Sequence, residues 1–192
     1  MTTKRHASWR QQRGGSLVAT LLVAVLALAG FRSAKAVEII PSVGITKSAR
    51  NSGEQARVYG GLALRGSFLP LLKSEIGVAY RKEERIADNL YVKMWPVTAS
   101  LWLTPIPTLY AGGGVGWYHT TLDYPPTLPV QDETHQEFGM HVGGGLAIPL
   151  SGAVALDLNG RYVFMDSQQT KLPPSSFDPD YWSTTLGLAI RF

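Results

Sequence analysis

An all-β fold, an eight-stranded antiparallel up-and-down barrel spanning a membrane with its strands, is the class this sequence predicts, and three observations predict it. Eight segments between Glu38 and Phe192 alternate residue by residue between an apolar and a more polar set, the period-two pattern of strands with one apolar face. The connections between them alternate long and short. The aromatic residues on the apolar faces fall at two heights, as they do where a barrel wall meets the two interfaces of a bilayer. A soluble sandwich or ligand-binding barrel would bury its apolar face and expose the polar one, and would not band its aromatics by height.

Taken in order, the first segment, about Glu38 to Lys47, sets Ile39, Pro41, Val43 and Ile45 against Ile40, Ser42, Gly44 and Thr46. The second, about Arg57 to Phe68, sets Val58, Leu62, Leu64 and Phe68 against Tyr59, Ala63, Arg65 and Ser67. The third, about Ser74 to Lys82, sets Ile76, Val78 and Tyr80 against Glu75, Gly77, Ala79 and Arg81. The fourth, about Leu90 to Leu103, carries Trp95, Val97, Ala99, Leu101 and Leu103 on its apolar face. Pro96 interrupts it: proline cannot donate to a ladder, so a bulge is expected there, or the strand projecting above the membrane near Trp95.

The fifth, about Thr108 to Thr120, has Leu109, Ala111, Val115 and Trp117 opposite Tyr110, Gly112, Gly114, Gly116 and Tyr118. The sixth, about Gln136 to Ile148, has Phe138, Met140, Val142, Leu146 and Ile148 opposite Gly139, His141, Gly143 and Gly145. The seventh, about Ala153 to Met165, has Val154, Leu156, Leu158, Tyr162 and Phe164 facing Ala155, Asp157, Asn159 and Arg161. The eighth, Tyr181 to Phe192, presents Trp182, Leu186, Leu188, Ile190 and Phe192 without a slip. So continuous an apolar face belongs on a barrel whose last strand pairs with its first, leaving no edge.

Connections after the even-numbered segments are short, and those after the odd-numbered ones are longer and polar, the longest running from Asp166 to Asp180. With the amino-terminus in the periplasm, this is the short-turn, long-loop asymmetry of an outer-membrane barrel. Tyr80, Trp95, Trp117, Phe138, Tyr162, Phe164 and Trp182 lie near the loop ends of their strands, and Phe68 and Phe192 near the turn ends, forming two girdles.

The amino-terminus carries Lys4, Arg5, Arg10 and Arg13, an apolar run from Leu17 to Gly30 and the small-residue site Ala34-Lys35-Ala36. This is the pattern of a secretory signal peptide cleaved after Ala36, leaving residues 37–192 as one barrel domain. The run is shorter than the roughly 20 residues a spanning helix needs. Six of the 18 Lys and Arg precede Val37 and none of the 14 Asp and Glu do, so the exported part is mildly acidic. The basic character of the whole chain is therefore no sign of a nucleic-acid partner. Without cysteine, neither a disulfide scaffold nor a thiolate metal site is available.

These patterns, across Val37 to Phe192, resemble the small eight-stranded bacterial outer-membrane barrels of the OmpA transmembrane-domain, OmpX and OmpW kind. The last strand, ending in Phe192, looks like the signal by which the barrel-assembly machinery takes up such proteins. The resemblance implies a monomer in the outer membrane, in contact with its lipids and lipopolysaccharide and delivered by periplasmic chaperones. It also implies a structural, surface-interaction or minor small-solute porin-like role, with no cofactor.

An eight-stranded barrel leaves an interior that side chains can fill. Parity directs Arg65, Glu75, Arg81, Asp157, Asn159, Arg161 and Arg191 into it, and buried charges are costly unless paired, so salt-bridged clusters are expected, with Arg65 and Glu75, which flank the same short turn, near each other at the periplasmic end. A binding or conducting lumen is the alternative. The mid-strand glycine runs Gly112 to Gly114 and Gly143 to Gly145 do not open a helix, so they are no phosphate loop; they leave room for large side chains opposite, or else a small cavity. His119, His135 and His141 have no metal-ligand spacing. Some small barrels resembling this one are lipid A deacylases or acyltransferases, but the closely spaced His-x-Ser motif of the deacylases is missing here, and no catalytic residue is assigned. Asp123, Asp132, Glu133, Asp178 and Asp180 place acid in the loops, either as solvated surface or as contacts to lipopolysaccharide through divalent cations.

Overall fold

Because side chains alternate across a pleated strand, an uninterrupted period of two lets each segment show one face to lipid and the other to the interior. A computed structural model of the chain describes residues 36–49, 56–84, 91–123, 133–165, 168–169, 176–177 and 180–192. The eight segments are strands β1 (Ala36–Ser48), β2 (Arg57–Leu69), β3 (Leu72–Glu84), β4 (Tyr91–Ile106), β5 (Leu109–Asp123), β6 (Glu133–Pro149), β7 (Val154–Met165) and β8 (Tyr181–Arg191). Each pairs antiparallel with its neighbours in chain order, and β8 returns to β1, so the sheet closes into a barrel. No helix occurs among the described residues. The leader expected before Val37 lies, apart from Ala36, outside them.

The closing seam pairs Glu38 with Arg191 at one end and Ser48 with Tyr181 at the other. Backbone bonds extend it: Phe192 N–H donates to Val37 O and Ala49 N–H to Asp180 O, both at 2.9 Å. Two prolines interrupt ladders without shifting them. On the seam, Ile40 and Pro41 have no ladder partners on β8, yet Ile39 pairs with Ile190 and Ser42 with Gly187 in unchanged register. Between β3 and β4 the ladder likewise skips Trp95 and Pro96, with Val78 opposite Val97 on one side and Arg81 opposite Met94 on the other. The bulge expected at Pro96 is therefore not formed; the strand runs on past Trp95 to Tyr91. The missing N–H removes pairing on one side only; Pro96 keeps its place opposite Tyr118 of β5, and Pro41 opposite Leu62 of β2. The Tyr80 and Trp95 rings, 4.5 Å apart, pack beside this gap.

Short turns at Pro70-Leu71, Pro107-Thr108 and Leu150–Ala153 join β2 to β3, β4 to β5 and β6 to β7. In the last, the Ser151 hydroxyl accepts from Val154 N–H at 3.2 Å. The connection after β7 is not wholly irregular as the sequence suggests: Gln168–Gln169 pairs with Ser176–Phe177 in a two-residue antiparallel ladder.

The faces are inverted relative to a soluble protein. Val58, Leu103 and Trp182 stand on the outer wall more than half exposed, whereas Arg65 and Glu75 are buried inside. An apolar surface of this extent needs lipid rather than water against it. The outward aromatics meet in cross-strand pairs at the loop end: Trp117 with Phe138 at 5.6 Å, and Tyr162 with Trp182 at 4.5 Å. Tyr162 also lies 4.5 Å from Phe164, and Phe192 is exposed at the opposite end. Phe68 lies on β2, its side chain outside the described residues.

Leu158 sits mid-strand on the outer wall, with Leu146 and Leu186 as its cross-strand neighbours. Leu158→Arg is predicted to destabilise the barrel by about 2–4 kcal/mol in urea unfolding from phospholipid vesicles, the cost of a guanidinium near the bilayer midplane. A neutral result would mean that this face meets water.

Candidate functional site

The candidate site is the lumen, and the strands build it by parity. Arg65 on β2 and Glu75 on β3 are direct cross-strand partners on the inward face. Arg65 Nε donates to Glu75 Oε2 at 2.8 Å, and Arg65 Nη1 reaches Asp157 Oδ2, from the opposite wall, at 2.7 Å. The other Glu75 oxygen accepts from Arg161 Nη2 at 2.6 Å. Two arginines and two carboxylates thus form a chain, Asp157–Arg65–Glu75–Arg161, whose formal charges cancel. Tyr110 and Asn159 complete it: the Tyr110 hydroxyl donates to Asp157 Oδ1 at 2.8 Å and accepts from Asn159 Nδ2 at 3.1 Å, while Arg161 Nε donates to Asn159 Oδ1 at 2.7 Å. Each ion of the cluster is thus held by more than one partner, which offsets the cost of its burial.

Glycines set the width of the lumen. Trp102, Gly112, Gly143 and Arg161 lie in one row across β4 to β7, so the two glycines leave space for Arg161 to sit with its guanidinium carbon 5.1 Å from the Trp102 ring centre. In the next row Gly114 lies between Ser100 and His141, whose Oγ and Nε2 are 2.9 Å apart. Tyr110 reaches Asn159 across Gly145 in the same manner. A Cβ on Gly112 or Gly114 would meet the carbonyl oxygen of Leu101 or Ala99. Between the two glycine readings, the structure favours room for large neighbours, although a cavity of about 40 Å³ does lie against the β1–β4 wall, between Tyr59, Glu75, Thr98 and Arg161. It has room for roughly three waters, at about 10–15 Å³ each.

Arg81 and Arg191, grouped with the other lumen charges by parity, lie apart from this chain of ions. Arg81 sits toward the loop end, its guanidinium carbon 4.9 Å from the Tyr181 ring centre and Nη1 3.5 Å from Thr46 Oγ1. There Tyr118 and Tyr181 pack with Met94 and Val163 in an apolar cluster. Arg191 lies at the turn end, bonded through Nη2 to Glu38 at 2.8 Å. Parity records which way a side chain points but not its height, and height separates these two from the centre.

Sequence reasoning also missed Trp102, fully buried at the lumen wall, and the Ser100–His141 pair. Only the registers of two successive ladders bring those two together, so no local motif announces them. Both are buried in the lumen, away from the lipid face, and His141 Nδ1 has no hydrogen-bond partner to orient the ring. Among the described residues no acid is bonded to His141, the third member that a nucleophile–base–acid arrangement uses. Among the described residues no three His, Cys, Asp or Glu converge on a metal position. Of the loop acids, Asp180 is placed: its carboxylate accepts from Met165 N–H at 2.8 Å and from the Tyr162 hydroxyl at 3.2 Å, closing the base of the last loop. Asp132 and Asp178, and the side chains of Asp123 and Glu133, lie outside the described residues.

Glu75→Gln is predicted to lower stability by about 3–5 kcal/mol, because it leaves arginine charge buried without its counter-ion. Replacing Glu75 and Arg161 together with methionine should recover part of that loss, since both ions leave at once. Urea midpoints of the wild type, Glu75→Met, Arg161→Met and the double variant, measured in the same micelles, provide the comparison; a double-variant loss equal to the sum of the two single losses would mean that the pair is uncoupled.

No family model and no curated protein sequence matches the chain. Solved structures do. Neisserial surface protein A superposes with a TM-score of 0.60 at 15% identity, covering 82% of this chain and 96% of that one. The outer-membrane protein OprG of Pseudomonas aeruginosa gives 0.58 at 16%, covering 83% and 97%. Ail, the attachment invasion locus protein of Yersinia pestis, solved with the heparin analogue sucrose octasulfate, gives 0.55 at 17%, covering 82% and 98%. Closed order, antiparallel pairing, an apolar outer wall and these superpositions agree: the chain has the fold of the small eight-stranded bacterial outer-membrane β-barrels.

Proposed function

We propose that the protein is a monomeric, non-enzymatic resident of a bacterial outer membrane, whose lumen is a structural plug and whose work is done at its surfaces. The observation that carries this reading is Glu75, buried and bonded to Arg65 and Arg161 at 2.6–2.8 Å across the barrel. A solute passing the centre would have to part ions that are mutually neutral and shielded from water. The remaining surfaces are the apolar wall with its aromatic rim, suited to lipids and lipopolysaccharide, and the loop-bearing end, suited to a surface partner. Two of the barrels with this fold, a surface protein and an attachment invasion protein by name, are compatible with such a role. Export by a cleaved leader and insertion by chaperones and the barrel-assembly machinery belong to the same proposal.

The competing reading, a small-solute channel, rests on the polar interior. Planar-bilayer recordings separate them. Wild-type protein is expected to show no steady single-channel current, and Glu75→Ala, if it still folds, only brief openings. Stable conductance of the wild type would replace the plug by a pore. The surface role is checked by deleting residues 168–177 and comparing whole-cell adhesion to host-cell or matrix layers; unchanged adhesion would remove that loop from the proposal.

A further inference from the structure

The turn end of the lumen holds a feature that the plug does not use. Glu38 on β1, Lys73 on β3 and Arg191 on β8 converge there: Arg191 Nη2 is 2.8 Å from Glu38 Oε1, and Lys73 Nζ is 3.5 Å from Glu38 Oε2. The carboxylate is nearly buried, at 6% side-chain exposure, while Arg191 is half exposed, at 51%. Two cations thus share one carboxylate. The guanidinium carries five N–H donors in a fixed fork and spends only Nε and one Nη2 hydrogen on Glu38. The Lys73 contact is long, and an ammonium has three donors to offer.

Both cations line a concave vestibule of about 350 Å³, within the size range of small-molecule sites, whose other walls include Ser67, Thr104, Pro70, Pro105 and Pro107. None of the residues lining that vestibule is acidic. A smaller cavity of about 60 Å³ adjoins it, sharing Lys73, Pro107 and Arg191, and Glu38 lines that inner part. The prolines fix the backbone of the rim, so the cavity exists before anything enters it.

We propose that this vestibule is an oxyanion site, in which Lys73 and Arg191 together hold a carboxylate or phosphate group of a small solute while Glu38 keeps the two cations in place. Arg191 supplies the planar fork that matches such a group and Lys73 the compact charge beside it. The site is independent of the surface role proposed above and does not require the lumen to conduct.

The test uses the refolded barrel in zwitterionic micelles at low salt, with inorganic phosphate and succinate as separate probes, followed through backbone amide shifts. Saturable shifts at Lys73, Thr104 and Arg191 are expected with one or both anions, and which one saturates identifies phosphate or carboxylate as the preferred group. Lys73→Met and Arg191→Gln should each weaken binding at least tenfold, while a retained cooperative urea transition and native amide dispersion show that the fold survives. Shifts confined to the loop end, shifts that persist in Lys73→Met, or no saturation at millimolar anion would each overturn the proposal.

Discussion

Every backbone N–H and C=O that enters hydrocarbon must find its partner within the protein, and the return of β8 to β1 is where this chain meets that requirement. Were the seam open, two strand edges would face lipid with unpaired groups, each costing several kcal/mol. The seam is nevertheless not uniform, because Pro41 brings no donor to it. The gap is bounded on both sides by ladder in the same register and held at the ends by Phe192 N–H on Val37 O and Ala49 N–H on Asp180 O. Pro96 makes the same bargain between β3 and β4. A strand can carry a proline when its other neighbour still aligns it, and both prolines keep their places opposite β5 or β2.

Closure then dictates the interior. Eight strands leave an interior that side chains can fill, and a buried ionic group there is costly unless another protein group answers it. Glu75 answers two arginines and Arg65 two carboxylates, which leaves no net charge at the centre. Such large side chains fit because the stretch of wall between them is thinned. The glycine rows of β5 and β6 are the complement of Trp102, Arg161, Tyr110 and the Ser100–His141 pair, and their positions follow from the register that aligns them.

Much of this was legible in the chain. Period-two alternation is local, so strand positions and the two faces could be read directly, and each observed strand matches its expected segment to within about three residues at either end. Loop asymmetry and the height of the outward aromatics are nearly local as well. What could not be read depends on register between strands. Arg81 and Arg191 share the inward parity of Arg65, but only the pairing of β8 with β1 and β7 places Arg191 beside Glu38 at the turn end. Ser100 and His141 are 41 residues apart and meet through Gly114, a relation that takes two ladders to define. Pro96 misled for a related reason: its effect depends on which neighbour its missing N–H would have faced, and sequence does not record that.

The division of the lumen by height has a functional consequence. Along its axis come an aromatic layer with Arg81 at the loop end, a neutral ionic layer at the centre and a cationic layer at the turn end. The two ends carry different chemistry, and the centre touches the turn end directly, since Arg65 stands opposite Glu38 in the β1–β2 ladder. A ligand at the turn end would act on Glu38 and the seam it spans, because Glu38 and Arg191 are cross-strand partners there. A partner at the loop end would act on the base closed by Asp180, which also abuts the seam through Ala49. The β1–β8 seam thus touches both ends of the barrel.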